Sequence, residues 1–149
     1  MLRENTLPFD ILLVEDEPAD AHLVHASIKE CKFNCNIHHV VDGLDAFAFL
    51  RREGEHYKNM PRPDLILLDL NMPRMNGREF LAAIKTDNDL ESIPVAVLTT
   101  SDVERDVEIA YKLGASGFIT KPVDMGQFIE AIRQLVGYWL MLARLPKKE

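Results

Sequence analysis

Four apolar runs in this chain end on side chains that could do chemistry. Ile11-Leu12-Leu13-Val14 leads into Glu15-Asp16, Leu65-Ile66-Leu67-Leu68 into Asp69, Val95-Ala96-Val97-Leu98 into Thr99-Thr100, and Gly117-Phe118-Ile119-Thr120 into Lys121-Pro122. If the strands ending at Asp16 and Asp69 are neighbours, three carboxylates share one pocket, where repulsion raises at least one pKa unless a cation is present. An all-oxygen donor set with no placed histidine or thiolate suits a hard ion that keeps several waters, which selects Mg²⁺. Mg²⁺ and Lys121 would neutralise charge on a transferring phosphoryl group, and Thr99 would donate a hydrogen bond to one of its oxygens. Asp69 is then the nucleophile at phosphorus. Taken singly, each residue has a plainer use: Glu15-Asp16 before Pro18 could cap a helix, Asp69 could close a turn, and Lys121 could be a solvated surface lysine. Their joint occurrence at four strand ends favours the chemical reading.

Short branched runs alternate with longer segments of helical period, the pattern of a parallel sheet covered by helices on both faces. Strands are expected at 9–14, 36–40, 64–68, 95–99 and 117–120, and helices near 18–31, 43–53, 77–86, 104–112 and 124–144. Pro18, Asp42-Gly43, Asn76-Gly77 and Asp124 mark helix starts. The stretch "RREGEHYKNMPRPD" reads as the longest loop. In an open α/β sheet, ligands bind outside the carboxyl ends of the strands, which is where all these polar residues fall.

At 149 residues and 47% hydrophobic content, the chain fits a single domain, 1–149, with its own core. A net charge of −7 argues against a general nucleic-acid surface, so no direct DNA binding is expected. Cys31 and Cys35, with His38 and His39 following, lack a second ligand pair at finger spacing and read as reduced thiols. The N-terminus "MLRENTLPFD" does not read as a signal peptide, and no apolar run approaches the ~20 residues that span a bilayer. A cytoplasmic protein without membrane contact is expected.

The segments "LLVEDE", "DLILLDLNMPRMNG", "VLTTS" and "GASGFITKP", in this order over about 9–136, resemble the receiver domain of two-component response regulators. The resemblance implies a doubly wound five-stranded parallel sheet of order 2-1-3-4-5, a flavodoxin-like fold; a chemotaxis receiver is a standard example of that order. It further implies phosphorylation of Asp69 by a sensor histidine kinase, with Mg²⁺ bound by Asp16, Asp69 and the Asn71 backbone carbonyl, and by Glu15 through water. Thr99 and Lys121 would contact the phosphoryl oxygens, Phe118 would be the aromatic switch, and Lys121-Pro122 would be joined by a cis peptide. Such a domain is no turnover enzyme, since it catalyses only its own phosphorylation and dephosphorylation. The approach "EGEHYKNMPRPDLILLDLNMP" and the ending "YWLMLARLP" are similar to small response regulators of cyanobacterial phytochromes, which implies a light-sensing kinase as partner.

The tail adds a surface. Phe128, Ile132, Leu135, Trp139 and Leu142 recur at helical spacing along a C-terminal helix extended through 137–149, and the last turns are apolar all round. Burial in a symmetric homodimer through the helix at 104–112, the strand at 117–120 and the helix at 124–144 is expected, with an unidentified downstream protein reading the switched surface. Three other readings of a strand-end aspartate fit these residues less well. A dehalogenase-type phosphatase wants a second aspartate two positions after the nucleophile, where Asn71 stands. A P-loop nucleotidase wants a glycine-rich loop ending in Gly-Lys-Ser/Thr, which is missing. A phosphorylation-independent adaptor would have no use for a full acceptor site.

Overall fold

The computed structural model describes residues 8–29, 34–72, 74–100 and 104–139. Its strands are β1 (Phe9–Val14), β2 (Cys35–Val40), β3 (Leu65–Leu68), β4 (Val95–Thr99) and β5 (Gly117–Thr120). The helices are α1 (Pro18–Lys29), α2 (Gly43–Leu50), α3 (Gly54–Tyr57), α4 (Gly77–Lys85), α5 (Glu104–Lys112) and α6 (Met125–Gly137). All pairings are parallel and the sheet order is β2-β1-β3-β4-β5, as the resemblance implies.

The central strands β1, β3 and β4 are buried along their whole length, while β2 and β5 form the edges. Their side chains alternate between two cores, because successive residues of a strand point to opposite faces. Leu12, Val14, Ile66, Leu68, Val95 and Val97 pack with Phe47 of α2 and with Phe80, Leu81 and Ile84 of α4. Ile11, Leu13, Leu65, Leu67 and Leu98 pack with Val24 and Ile28 of α1 and with Phe128, Ile132 and Val136 of α6. Runs that read as continuously apolar are apolar because each face has its own helical cover.

Two departures from the expected elements exceed a single residue and lie within the described residues. The second helix stops at Leu50 rather than 53, where Arg52 takes a left-handed φ of 53° and turns the chain. The stretch expected to be a loop contains α3, whose Tyr57 hydroxyl donates to Asp45 Oδ1 at 2.8 Å. A single helical turn is too short to leave a periodic signature.

The last helix carries a correction. Phe128 and Ile132 are 5% and 1% exposed within the domain's own core, so they are not part of a dimer contact. The spacing identified an apolar face, but that face covers the sheet beside α1. Leu135 and Trp139 are half-buried against the same cluster, and Leu142 lies outside the described residues.

Candidate phosphoacceptor site

Register decides which side chains meet. Val14 of β1 pairs with Leu68 of β3, so the next residues, Glu15 and Asp69, leave adjacent strands at the same level. The backbone holds them there: the Asp69 amide donates to the Val14 carbonyl at 3.1 Å and the Glu15 amide to Val40 at 3.0 Å. On the other side Thr99 pairs with Thr120, and the Lys121 amide donates to the Thr99 carbonyl at 2.7 Å. β1 and β3 flank the point where the strand order reverses, where such sheets open a crevice.

In that crevice carboxylate oxygens of Glu15, Asp16 and Asp69 all lie within 4.8 Å of one another. Asp16 is the most accessible of the three, while Glu15 and Asp69 are 2% and 8% exposed. Burial raises Glu15 to a pKa of about 7, and the neighbouring Asp69 adds to the rise. Lys121 opposes it: its side chain is buried, with Nζ paired to Glu15 Oε1, donating to Asp20 Oδ2 at 2.8 Å and lying 3.9 Å from Asp69 Oδ2. Desolvation works against the ammonium, but bonds to Asp20 and Glu15 raise its pKa overall.

The loop after β3 completes the crevice. Asn71 donates from its amide to Asp69 Oδ1 at 3.3 Å and from Nδ2 to Thr99 Oγ1 at 3.4 Å, with Thr99 fully buried. Gly77 closes the loop by donating to the Leu70 carbonyl at 3.1 Å, and a Cβ there would lie 2.2 Å from the Asp69 carbonyl oxygen. Only glycine permits α4 to start so close to the end of β3.

A cluster of three carboxylates with a carbonyl-bearing loop alongside matches the donor chemistry of a divalent cation. Among the described residues no other group of three potential ligands comes together; Cys35, His38 and His39 join none, and Cys31 lies outside them. Phe118, expected as the switch, is half-buried on β5 against the core beneath α4. One expectation is overturned: the Lys121–Pro122 peptide is trans, as no cis bond occurs among the described residues. Proline tolerates either isomer and intrinsically favours trans. Asp20 carried no signal beyond a helix's acidic first turn, because nothing in local spacing shows that it meets a lysine 101 positions away.

Residues 11–133 match the family described as Response regulator receiver domain. The chain belongs to that family. It is similar to Response regulator Rcp1 of Synechocystis sp., 44% identical over 146 residues, covering 98% of this chain and 99% of the relative. It is 35% identical to the probable methanogenesis regulatory protein FilR2 of Methanothrix harundinacea, over 93% of this chain and 88% of that one. Among solved structures, a Mn²⁺-bound form of Rcp1 superposes with a TM-score of 0.88 at 44% identity, over 94% of this chain and all of that one. The phosphorylated cyanobacterial phytochrome response regulator RcpA gives 0.90 at 42%, over 95% and 100%. This receiver is thus a two-component signalling domain close to phytochrome response regulators, and its acidic cluster fits divalent-metal binding. No described helix is long and apolar enough to cross a membrane.

Proposed function

We propose that the protein accepts a phosphoryl group on Asp69 from the phosphohistidine of a sensor kinase, in a Mg²⁺-dependent reaction. The observation that carries this is the meeting of the Glu15, Asp16 and Asp69 carboxylates with the Lys121 ammonium at the strand ends. An Asp69 carboxylate oxygen forms the new O–P bond as the P–N bond to histidine breaks, its electron pair returning to the imidazole nitrogen. Asp16, Asp69 and the Asn71 carbonyl would hold the ion, with Glu15 acting through water. When bound, the ion supplies positive charge where charge gathers on phosphorus-bound oxygens. Lys121 adds a second cation at that edge, and Thr99 turns its hydroxyl from the Asn71 amide to a phosphoryl oxygen. Phe118, one strand position from Ile119 and three from Lys121, repacks as Thr99 moves.

In this reading the chain is a phosphoacceptor and not a turnover enzyme, and it acts in the cytoplasm through protein contacts and not DNA. Similarity to Rcp1 and RcpA supports a phytochrome as the kinase. A homodimer through α5, β5 and α6 remains part of the proposal, with other side chains than Phe128 and Ile132 at its contact. Tyr111 of α5, Val123 between β5 and α6, Met125 of α6 and Tyr138 at its end are exposed apolar side chains, Val123 and Met125 most fully. The test is transfer from a labelled kinase: acid-stable, base-labile label that requires Mg²⁺ and is lost in Asp69→Asn supports the reading, and label persisting in that variant defeats it.

A further inference from the structure

A second set of contacts grips the loop that leaves Asp69. Arg74 has a φ of 57°, a left-handed backbone that residues other than glycine adopt uncommonly. Its guanidinium clasps Asp42: Nη2 donates to Oδ1 at 2.9 Å and Nε donates to Oδ2. That two-pronged geometry is what a planar guanidinium offers and an ammonium does not. Asp42 is a fixed anchor, 2% exposed, and it also caps α2 by accepting from the Asp45 amide at 2.9 Å. The hydrogen bond from Arg74 holds its carboxyl below the ordinary range. Next in the chain, the Gly43 amide donates to the Met75 carbonyl at 2.9 Å, and a Cβ at 43 would lie 2.6 Å from Met75 Cγ. The β2–α2 loop therefore holds two consecutive residues of the β3–α4 loop, and the Gly77–Leu70 bond fixes that loop's other end.

We propose that the Asp42–Arg74 clasp, backed by the Gly43–Met75 contact, is a positioning element that pre-sets the Asp69–Asn71 backbone for a divalent cation. Neither residue touches the reacting atoms; they act through the shape of the loop. The inference rests on the receiver reading of Asp69 and Asn71 given above. Without the clasp, the left-handed turn at Arg74 loses its tether, and the Asn71 carbonyl and the Asp69 carboxylate are no longer held in one register.

The test uses Mn²⁺ alone as probe, titrated by electron paramagnetic resonance, beside thermal melts in chelator and labelling by a phosphodonor. Arg74→Ala is expected to weaken Mn²⁺ binding about tenfold, the order seen when an outer support of a metal site is removed. Its melting midpoint in chelator should fall only modestly, because the Arg74 side chain is more than half exposed and Asp42 keeps the Asp45 amide as a donor. Arg74→Lys should recover part of the affinity, and Asp42→Asn combined with Arg74→Ala should be no weaker than the worse single variant, since one clasp is lost either way. Gly43→Ala, which displaces Met75, should weaken Mn²⁺ in the same direction. Unchanged Mn²⁺ affinity in Arg74→Ala overturns the proposal, as does a loss matched by a fall in melting midpoint that Arg74→Lys does not mend. If the Mn²⁺ results hold while Asp69→Asn still takes label, the phosphoacceptor assignment fails and the clasp's role in cation binding stands.

Discussion

Lys121 is an ammonium buried among three carboxylates, and the balance around it sets how the site responds to pH. Glu15 titrates near 7 in the folded chain against 4.5 as its ordinary value, chiefly because it is desolvated. A carboxyl whose folded pKa is raised binds more protons folded than unfolded, so its contribution to stability falls as pH rises from about 4.5 to 7. In chelator, wild type should therefore lose stability relative to Glu15→Gln across that window, read as the difference between their melting midpoints at each pH. A flat difference would contradict the burial argument. Asp20→Ala removes one partner of Lys121; because the Asp20 carboxyl is a third exposed, a loss of about 1 kcal/mol by urea denaturation is expected. At this scale the sequence disclosed Glu15, Asp16, Asp69, Thr99 and Lys121 as the residues that the fold brings to one crevice, since each follows or ends a strand. Asp42 was legible as a helix start, but its pairing with Arg74, like that of Asp20 with Lys121, was not, because these contacts join distant segments that no local period encodes.

At the scale of elements, the join between β3 and α4 matters most. Asn76 caps α4 by accepting from the Glu79 amide at 3.0 Å, while Glu79 Oε1 accepts from the Asn76 amide at 3.1 Å, a reciprocal capping box. Asn76→Ala should cost about 1 kcal/mol in urea denaturation and leave labelling of Asp69 largely intact. Gly77→Ala is the contrasting change. Its Cβ would run into the Asp69 carbonyl and Leu70 Cα, both backbone atoms that cannot swing aside, so labelling should fall much more than for Asn76→Ala. Strand and helix positions were largely legible because apolar periodicity and cap residues agree. α3 was not, and the apolar face of α6 was legible as a face but not as to its partner. Period alone does not say whether Phe128 and Ile132 cover their own sheet or another chain; here their own sheet covers them.

For the whole molecule, parallel pairing of β1 between β2 and β3 brings distant segments to one edge, and the sequence showed that topology through the order of its motifs rather than through any single one. The same fold leaves β5 as an outer strand of the sheet, with exposed Val123 and Met125 shortly beyond its end. Replacing both by Arg should abolish the proposed dimer in sedimentation experiments while phosphorylation proceeds, and a dimer of unchanged strength would remove that surface from the account. Phosphorylation would form a single new bond, at the Asp69 carboxylate beyond the end of β3. An acyl phosphate at Asp69 is reduced by borohydride to homoserine, so peptide mass spectrometry after phosphodonor, Mg²⁺ and borohydride treatment reads the acceptor directly. Homoserine at position 69, lost when Mg²⁺ is chelated, is the predicted result; an unmodified Asp69 with homoserine at Asp16 or elsewhere would contradict it.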